Sequence, residues 1–199
     1  MYPEHWPQFY TATINNWQHL LADNKHKDII VDSLKFLVTE KRIELNAFVI
    51  MSNHIHLIWQ PQFGFTPTDI QSSFMKYTAQ QLKRSLAENN KETLASFKVN
   101  KYDREYQFWK RNPLGIELIS QAVFEQKLNY IHLNPVKAGL CKDPSGWKFS
   151  SCNAIISQRP TKVAVNEVLE WFGGLNEFIR VHQQRVLDEK QLKPFLFDD

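Results

Sequence analysis

The stretch IELNAFVIM-SN-HIHLIWQ, residues 43–60, decides the fold. Two apolar runs, 43–51 and 54–60, are joined by two small polar residues, Ser52 and Asn53, the pattern of a tight antiparallel hairpin. Side chains alternate along a strand, so His54 and His56 point to one face while Ile55 and Leu57 point to the other. Two imidazoles on one face can chelate a single metal ion. Taken alone the pair is a weak signal: seven histidines in 199 residues produce His-x-His by chance, and an exposed strand pair is the plainer reading.

Outward from this hairpin the chain alternates strands and helices. QFYTATI (8–14) reads as a strand, and Ile29, Ile30, Leu34, Leu37 and Val38 recur at helical spacing over about 26–41. After the hairpin, Pro61 and the Gly64/Pro67 region close the unit. Thr66 or Thr68 caps a helix to about 88 carrying Ile70, Phe74, Thr78 and Leu82 at i, i+4 steps. A short strand near 105–110 and a helix over 116–133 follow, the helix ending at Asn134-Pro135 because a residue before proline is biased away from the α region. The order β-α-β-β-α-β, then a further helix, predicts an α+β fold: a ferredoxin-like or RRM-like antiparallel sheet with helices packed on it. That unit spans 1–156. Residues 157–199, with helices near 165–172 and 175–189 around Gly173-Gly174, read as a C-terminal helical extension.

Composition excludes several classes. Cys141 and Cys152 are too few for a zinc cluster or a disulfide framework and fit a reducing, cytoplasmic setting. The opening MYPEHWPQFY lacks a basic region followed by an apolar run, so no secretory signal is expected, and no membrane span is expected either. The net charge of +3 is unevenly placed. Residues 98–148 hold nine Lys/Arg against five Asp/Glu, whereas 1–97 balance at nine each and 149–199 hold six against seven. Within that basic segment, KVNKYDREYQFWKRN interleaves Lys98, Lys101, Arg104, Lys110 and Arg111 with Tyr102, Tyr106, Phe108 and Trp109. Cations for phosphates beside rings for unstacked bases suit single-stranded nucleic acid, although a solvated surface with core aromatics has the same composition. Phe108 and Trp109 are the rings expected in the core.

The second feature is KLNYIHLNPVKAGL, 127–140. If the helix reaches Asn134, then Lys127, Tyr130 and Asn134 fall at i−3, i and i+4 and share a face, while His132 points elsewhere. An ammonium, a phenol and an amide would then project together. Taken singly, Tyr130 reads as an amphipathic core residue and Asn134 as a helix cap.

The motifs VIMSNHIHLIW and QKLNYIHLNPVKAGL, with GWKFSS after them, closely resemble the single-tyrosine HUH transposases, in particular the REP-associated tyrosine transposases of bacteria. The resemblance covers about residues 8–153, and EVLEWFGGLNEFIRVHQQ is similar to an extension in some relatives. It implies that His54, His56 and Asn134 hold a divalent cation, Mg2+ or Mn2+, and that Tyr130 is the nucleophile. Two imidazoles suit manganese better than magnesium, so activity with either and tighter binding of manganese are expected. The implied substrate is single-stranded DNA folded into an imperfect hairpin by a short palindromic repeat, cut at the hairpin foot through a 5′-phosphotyrosyl link. On that reading Lys98, Lys101, Arg104, Lys110 and Arg111 contact the backbone, Tyr102 offers a stacking surface, and Lys127 and Lys137 join the nucleic-acid-binding set, with Lys76, Lys83 and Arg84 extending it. The competing expectation is a non-catalytic RRM-like binder of single strands. A metal-independent two-histidine phosphoesterase would need a second His-x-Ser/Thr element, which the chain lacks. These motifs do not choose between a monomer and a homodimer.

Overall fold

The computed structural model describes residues 4–152 and Ile155. The elements run β1 (Gln8–Thr13), α1 (Asn24–Thr39), β2 (Ile43–Ile50), β3 (His54–Pro61), α2 (Pro67–Asn89), α3 (Lys91–Ser96), β4 (Lys98–Lys101), β5 (Arg104–Tyr106), β6 (Leu114–Glu117) and α4 (Gln121–Lys137). Four strands form one antiparallel sheet in the order β2-β3-β1-β6, and β4 and β5 make a separate two-stranded ribbon. The expected antiparallel sheet with helices packed on it is therefore what forms. The expected C-terminal extension lies outside the described residues.

Side-chain alternation sorts the sheet into two faces. Tyr10, Leu57 and Trp59 join Ile30, Leu34 and Leu37 of α1 and Phe74 of α2 in one core. Phe9, Val49 and Ile58 join Phe124, Leu128 and Ile131 of α4 in another. A bulge at Asn46, between the pairs Leu45–Trp59 and Ala47–Ile58, reverses the parity of β2. It lets Ile43, Leu45, Phe48 and Ile50 all serve the first core. Helices α1 and α2 begin at side-chain caps: Asp23 accepts from the Lys25 N–H at 2.9 Å, and Thr66, not Thr68, accepts from the Asp69 N–H at 3.2 Å ahead of Pro67. Among the described residues no helix is long and apolar enough to cross a membrane.

Three boundaries differ from expectation. The fourth strand of the sheet is 114–117, which sequence periodicity placed at the start of a helix. Leu114–Glu117 instead pairs with the open edge of β1, Thr11 opposite Leu114 and Gln8 opposite Glu117. Gly115 is a poor helix former, and Ser120 caps α4 five residues later. The stretch expected as a strand near 105–110 divides between the ribbon and an isolated bridge from Trp109 to Ile14. Finally, α4 does not stop at Asn134 but runs through Pro135 to Lys137. Proline forfeits one N–H in the helix's last turn, and its φ is already helical. Gly139, at φ +70°, is the true terminator. The Leu140 N–H returns to the Pro135 carbonyl and the Gly139 N–H to that of Val136, both at 2.9 Å, a Schellman cap. Asn134 is thereby held inside the helix, one turn beyond Tyr130.

The same cap ends α1 with Lys41 in the left-handed position, φ +52°, where the Lys41 N–H reaches the Val38 carbonyl and the Arg42 N–H that of Leu37. A β-carbon is unfavourable there. Lys41→Gly should raise stability by about 1 kcal/mol, read as a higher midpoint in urea with unchanged slope.

GWKFSS acts as a clamp on β2. The Trp147 Nε1–H donates to the Ile50 carbonyl at 3.1 Å, and the Ile50 and Ser151 N–H groups bond to the Phe149 and Phe48 carbonyls. Ser151 Oγ accepts from the Phe48 N–H at 3.0 Å and lies 2.7 Å from His132 Nε2. His132 is fully buried on this side of α4, away from the pocket, as its spacing from Tyr130 predicts. Ser151→Ala would remove the acceptor of the buried Phe48 N–H and the contact to His132, so we expect a loss of about 1–3 kcal/mol in denaturant unfolding.

Candidate active site

The β2–β3 turn is as tight as Ser52-Asn53 predicts, closed by the Met51 N–H on the His54 carbonyl at 2.9 Å. The ends of neighbouring segments fasten it. The Ile14 N–H bonds to the Asn53 carbonyl and the Leu21 N–H to the Ser52 carbonyl, both at 2.8 Å. This fixes the register in which Thr11 stands opposite His56 and Thr13 opposite His54. Both histidines therefore face α4.

Each imidazole is oriented through Nδ1. His54 Nδ1 is 2.7 Å from Asn53 Oδ1, and His56 Nδ1 is 2.7 Å from Thr11 Oγ1. A carbonyl oxygen can only accept, so the neutral tautomer that satisfies the shorter of the two His54 contacts carries its proton on Nδ1 and turns the Nε2 lone pair inward. Both Nε2 atoms converge on one side chain: that of His54 is 3.2 Å from Asn134 Oδ1 and that of His56 is 3.4 Å from Asn134 Nδ2. Burial lowers the His54 pKa below its ordinary value. Burial, reinforced by His54 and Lys127, pushes that of His56 down to about 3. Both rings are accordingly neutral at physiological pH, with lone pairs turned inward.

Across α4 the spacing of Lys127, Tyr130 and Asn134 does what helical geometry predicts. All three line one pocket of about 430 Å³ with His54, His56 and Thr11. The Tyr130 ring meets His56 edge-on, centroids 5.0 Å apart. Lys127 Nζ stands 4.9 Å from the centroid of Phe9 and 6.0 Å from that of Tyr130.

The donor set fits a divalent cation. With the His54 proton on Nδ1, Nε2 and Asn134 Oδ1 bring two lone pairs to 3.2 Å, a spacing that a shared cation would bridge. The Nδ1 hydrogen bonds are the outer contacts that fix a ligating histidine. Among the described residues no group of three or more His, Cys, Asp and Glu is placed to hold a metal ion. The site is two imidazoles and an amide, a neutral set that leaves a bound cation's charge available to an anion.

The basic segment is divided. Arg104, Lys110 and Arg111 line a second cleft of about 420 Å³ with Lys76, Tyr106 and Trp109. Asp103 engages both Arg104 and Arg111 there. Lys98 and Lys101 lie on the exposed ribbon, Lys98 paired with Glu105 at 3.6 Å, and Tyr102 is fully exposed in its turn. None of these three lines either cavity. Lys137, exposed at the end of α4, is also outside the pocket lining. Lys83 is bound to Glu105 at 3.9 Å, across the Tyr106 ring. Phe108 and Trp109 are buried as expected.

Sequence reasoning missed Phe9, Thr11, Asn53 and Trp17, all beside the histidines. The period of two in QFYTAT would have put Phe9, Thr11 and Thr13 on one face, but nothing in the sequence said which face met His54.

Residues 11–123 match the family model for IS200-like transposases, more than half of the chain, and the chain belongs to that family. Among its relatives, a REP-associated tyrosine transposase of Escherichia coli (strain K12) is 21% identical over 170 residues, spanning 85% of this chain and 87% of the relative. A solved structure of a REP-associated tyrosine transposase bound to a REP hairpin shares the fold, with a TM-score of 0.57 at 20% identity over 83% of this chain and 90% of the other. The family match includes His54 and His56 and ends seven residues before Tyr130.

Proposed function

We propose that this transposase is a metal-dependent single-stranded DNA endonuclease and strand transferase that cuts beside DNA hairpins, with Tyr130 as nucleophile. The observation that carries the reading is the meeting of the Tyr130 ring with His56, His54 and Asn134 in one pocket. Tyr130 Oη attacks phosphorus and loses its proton, and the bond to the departing 3′ oxygen breaks. A 5′-phosphotyrosyl link and a free 3′-hydroxyl result. His54, His56 and Asn134 would hold Mg2+ or Mn2+, which when bound would supply charge neutralisation at the scissile phosphate. Thr11 and Asn53 keep the imidazoles aimed, and Lys127 adds a cation beside the nucleophile. The energy of the cut bond is kept in the tyrosyl ester, so rejoining needs no nucleotide cofactor.

The relative bound to a REP hairpin and the cationic cleft of Lys76, Arg104, Lys110 and Arg111 support a hairpin substrate whose backbone follows that cleft. Action on chromosomal repeats goes with a cytoplasmic, nucleoid-associated location. Labelled single-stranded hairpin DNA incubated with the protein and Mn2+ should give an adduct that survives denaturation and disappears with EDTA. Binding with no adduct across several hairpins would instead mark a non-catalytic binder.

A further inference from the structure

The segment Asn15–Trp17 breaks a rule of local structure. Asn16 and Trp17 both take positive φ, 55° and 56°. Asparagine tolerates that region, but an indole-bearing residue rarely enters it, and such strain persists only where surrounding contacts impose it. They do so here. The Asn15 N–H bonds to the Phe108 carbonyl at 2.7 Å and the Trp17 N–H to the Ile14 carbonyl at 3.0 Å. Ser96 Oγ–H donates to Gln18 Oε1 at 2.9 Å. The ring so placed gains no core packing in return, since Trp17 remains 57% exposed. It forms part of the wall of the catalytic pocket, 6.5 Å from the His54 ring and at 71° to it. Lys110 Nζ stands 5.9 Å from the same ring centroid, and Lys110 also lines the basic cleft. Trp17 thus occupies the junction between the cleft and the pocket.

We propose that Trp17 is a stacking platform for an unpaired base adjoining the scissile phosphate, with Lys110 holding the next phosphate along the strand. A flat, exposed ring beside a cation is the chemistry that single-stranded nucleic acid requires, and stacking of this kind tolerates any base. Trp17 would place the strand in the pocket without reading its sequence, which makes it a positioning residue. The identity of the ligand rests on the strand-cleavage reading above.

The test uses the full-length chain carrying Tyr130→Phe, so that DNA is bound and not cut. Single-stranded hairpin oligonucleotides carry 2-aminopurine at successive positions around the cut site. One position should be strongly quenched on binding. Trp17→Ala should abolish that quenching and weaken binding about tenfold, in line with the loss of one base–aromatic stack, and Trp17→Tyr should restore most of both. Trp17→Gly separates this role from a structural one. Freed of positive-φ strain, it should melt at or above the parent temperature while binding as poorly as Trp17→Ala. Quenching unchanged in Trp17→Ala, or a Trp17→Gly protein that melts lower with undiminished affinity, would overturn the proposal. With Tyr130 intact, wild-type adduct yield in Trp17→Ala would sink the stacking role and leave cleavage standing. Trp17-dependent quenching with no adduct in the parent protein would do the reverse.

Discussion

Tyr130→Phe should eliminate the covalent protein–DNA adduct, reducing cleavage by ~10³-fold or more, while the protein folds and still binds hairpin DNA. The substitution removes one oxygen and keeps the ring, so the edge contacts to His56 and Phe9 remain. The other hydroxyls lining the pocket belong to Thr11 and Thr13. Thr11 Oγ1 is engaged by His56 Nδ1 at 2.7 Å, and both threonines project from the sheet and not from α4. Neither should substitute for the phenol. The measurement is adduct yield on a denaturing gel alongside hairpin affinity. Residual adduct at wild-type yield would move the nucleophile elsewhere and end the present assignment.

His54→Ala and His56→Ala should each lower Mn2+ affinity at least 100-fold and bring cleavage down with it, since each removes one of the two nitrogen donors. Removing an outer partner typically costs 10–100-fold, so Thr11→Val should fall within that interval and the histidine variants at or beyond its upper end. Titration calorimetry with Mn2+ reads the affinities directly. Unfolding midpoints separate ligation from packing. His56 is buried and stacks on Phe9 at 5.5 Å, so its loss leaves a cavity and lowers stability. His54 is half-buried and its removal should matter much less for folding. Equal metal loss with unequal stability loss is the expected pattern. Unchanged Mn2+ titration in both variants would remove the metal from this site.

Much of the architecture was legible because period and punctuation agreed. The alternation in HIHLIW placed both histidines on one face, and the two-residue turn before them set their register. The i, i+4 series from Ile70 to Leu82 located α2, whose buried residues are the four expected and, one turn further, Leu86. Legibility failed where a local preference met a tertiary demand. Leu114–Glu117 carries no strong strand pattern and is strand because β1 has an edge to fill. Asn134-Pro135 reads as a stop, yet Gly139 closes the helix and Asn134 stays within it. At the site, the triad on α4 followed from spacing alone once the helix was known to reach Asn134. The partners of the histidines did not, because Thr11 and Asn53 become neighbours of those rings only through strand pairing and turn closure. The split of the basic segment was equally invisible. Lys98 and Lys110 are the same residue type in one cationic run, but only Lys110 reaches a cavity.

Asn53 joins parts that perform different tasks. Its carbonyl takes the Ile14 N–H at 2.8 Å, its Oδ1 holds His54 at 2.7 Å, and its Nδ2 reaches toward the Trp17 carbonyl at 3.5 Å. Any residue here would keep the main-chain bond to the strand end, but none could replace the side chain without disturbing the imidazole and the Trp17 backbone together. Change is then less constrained at the cationic cleft and the ribbon than around the two histidines.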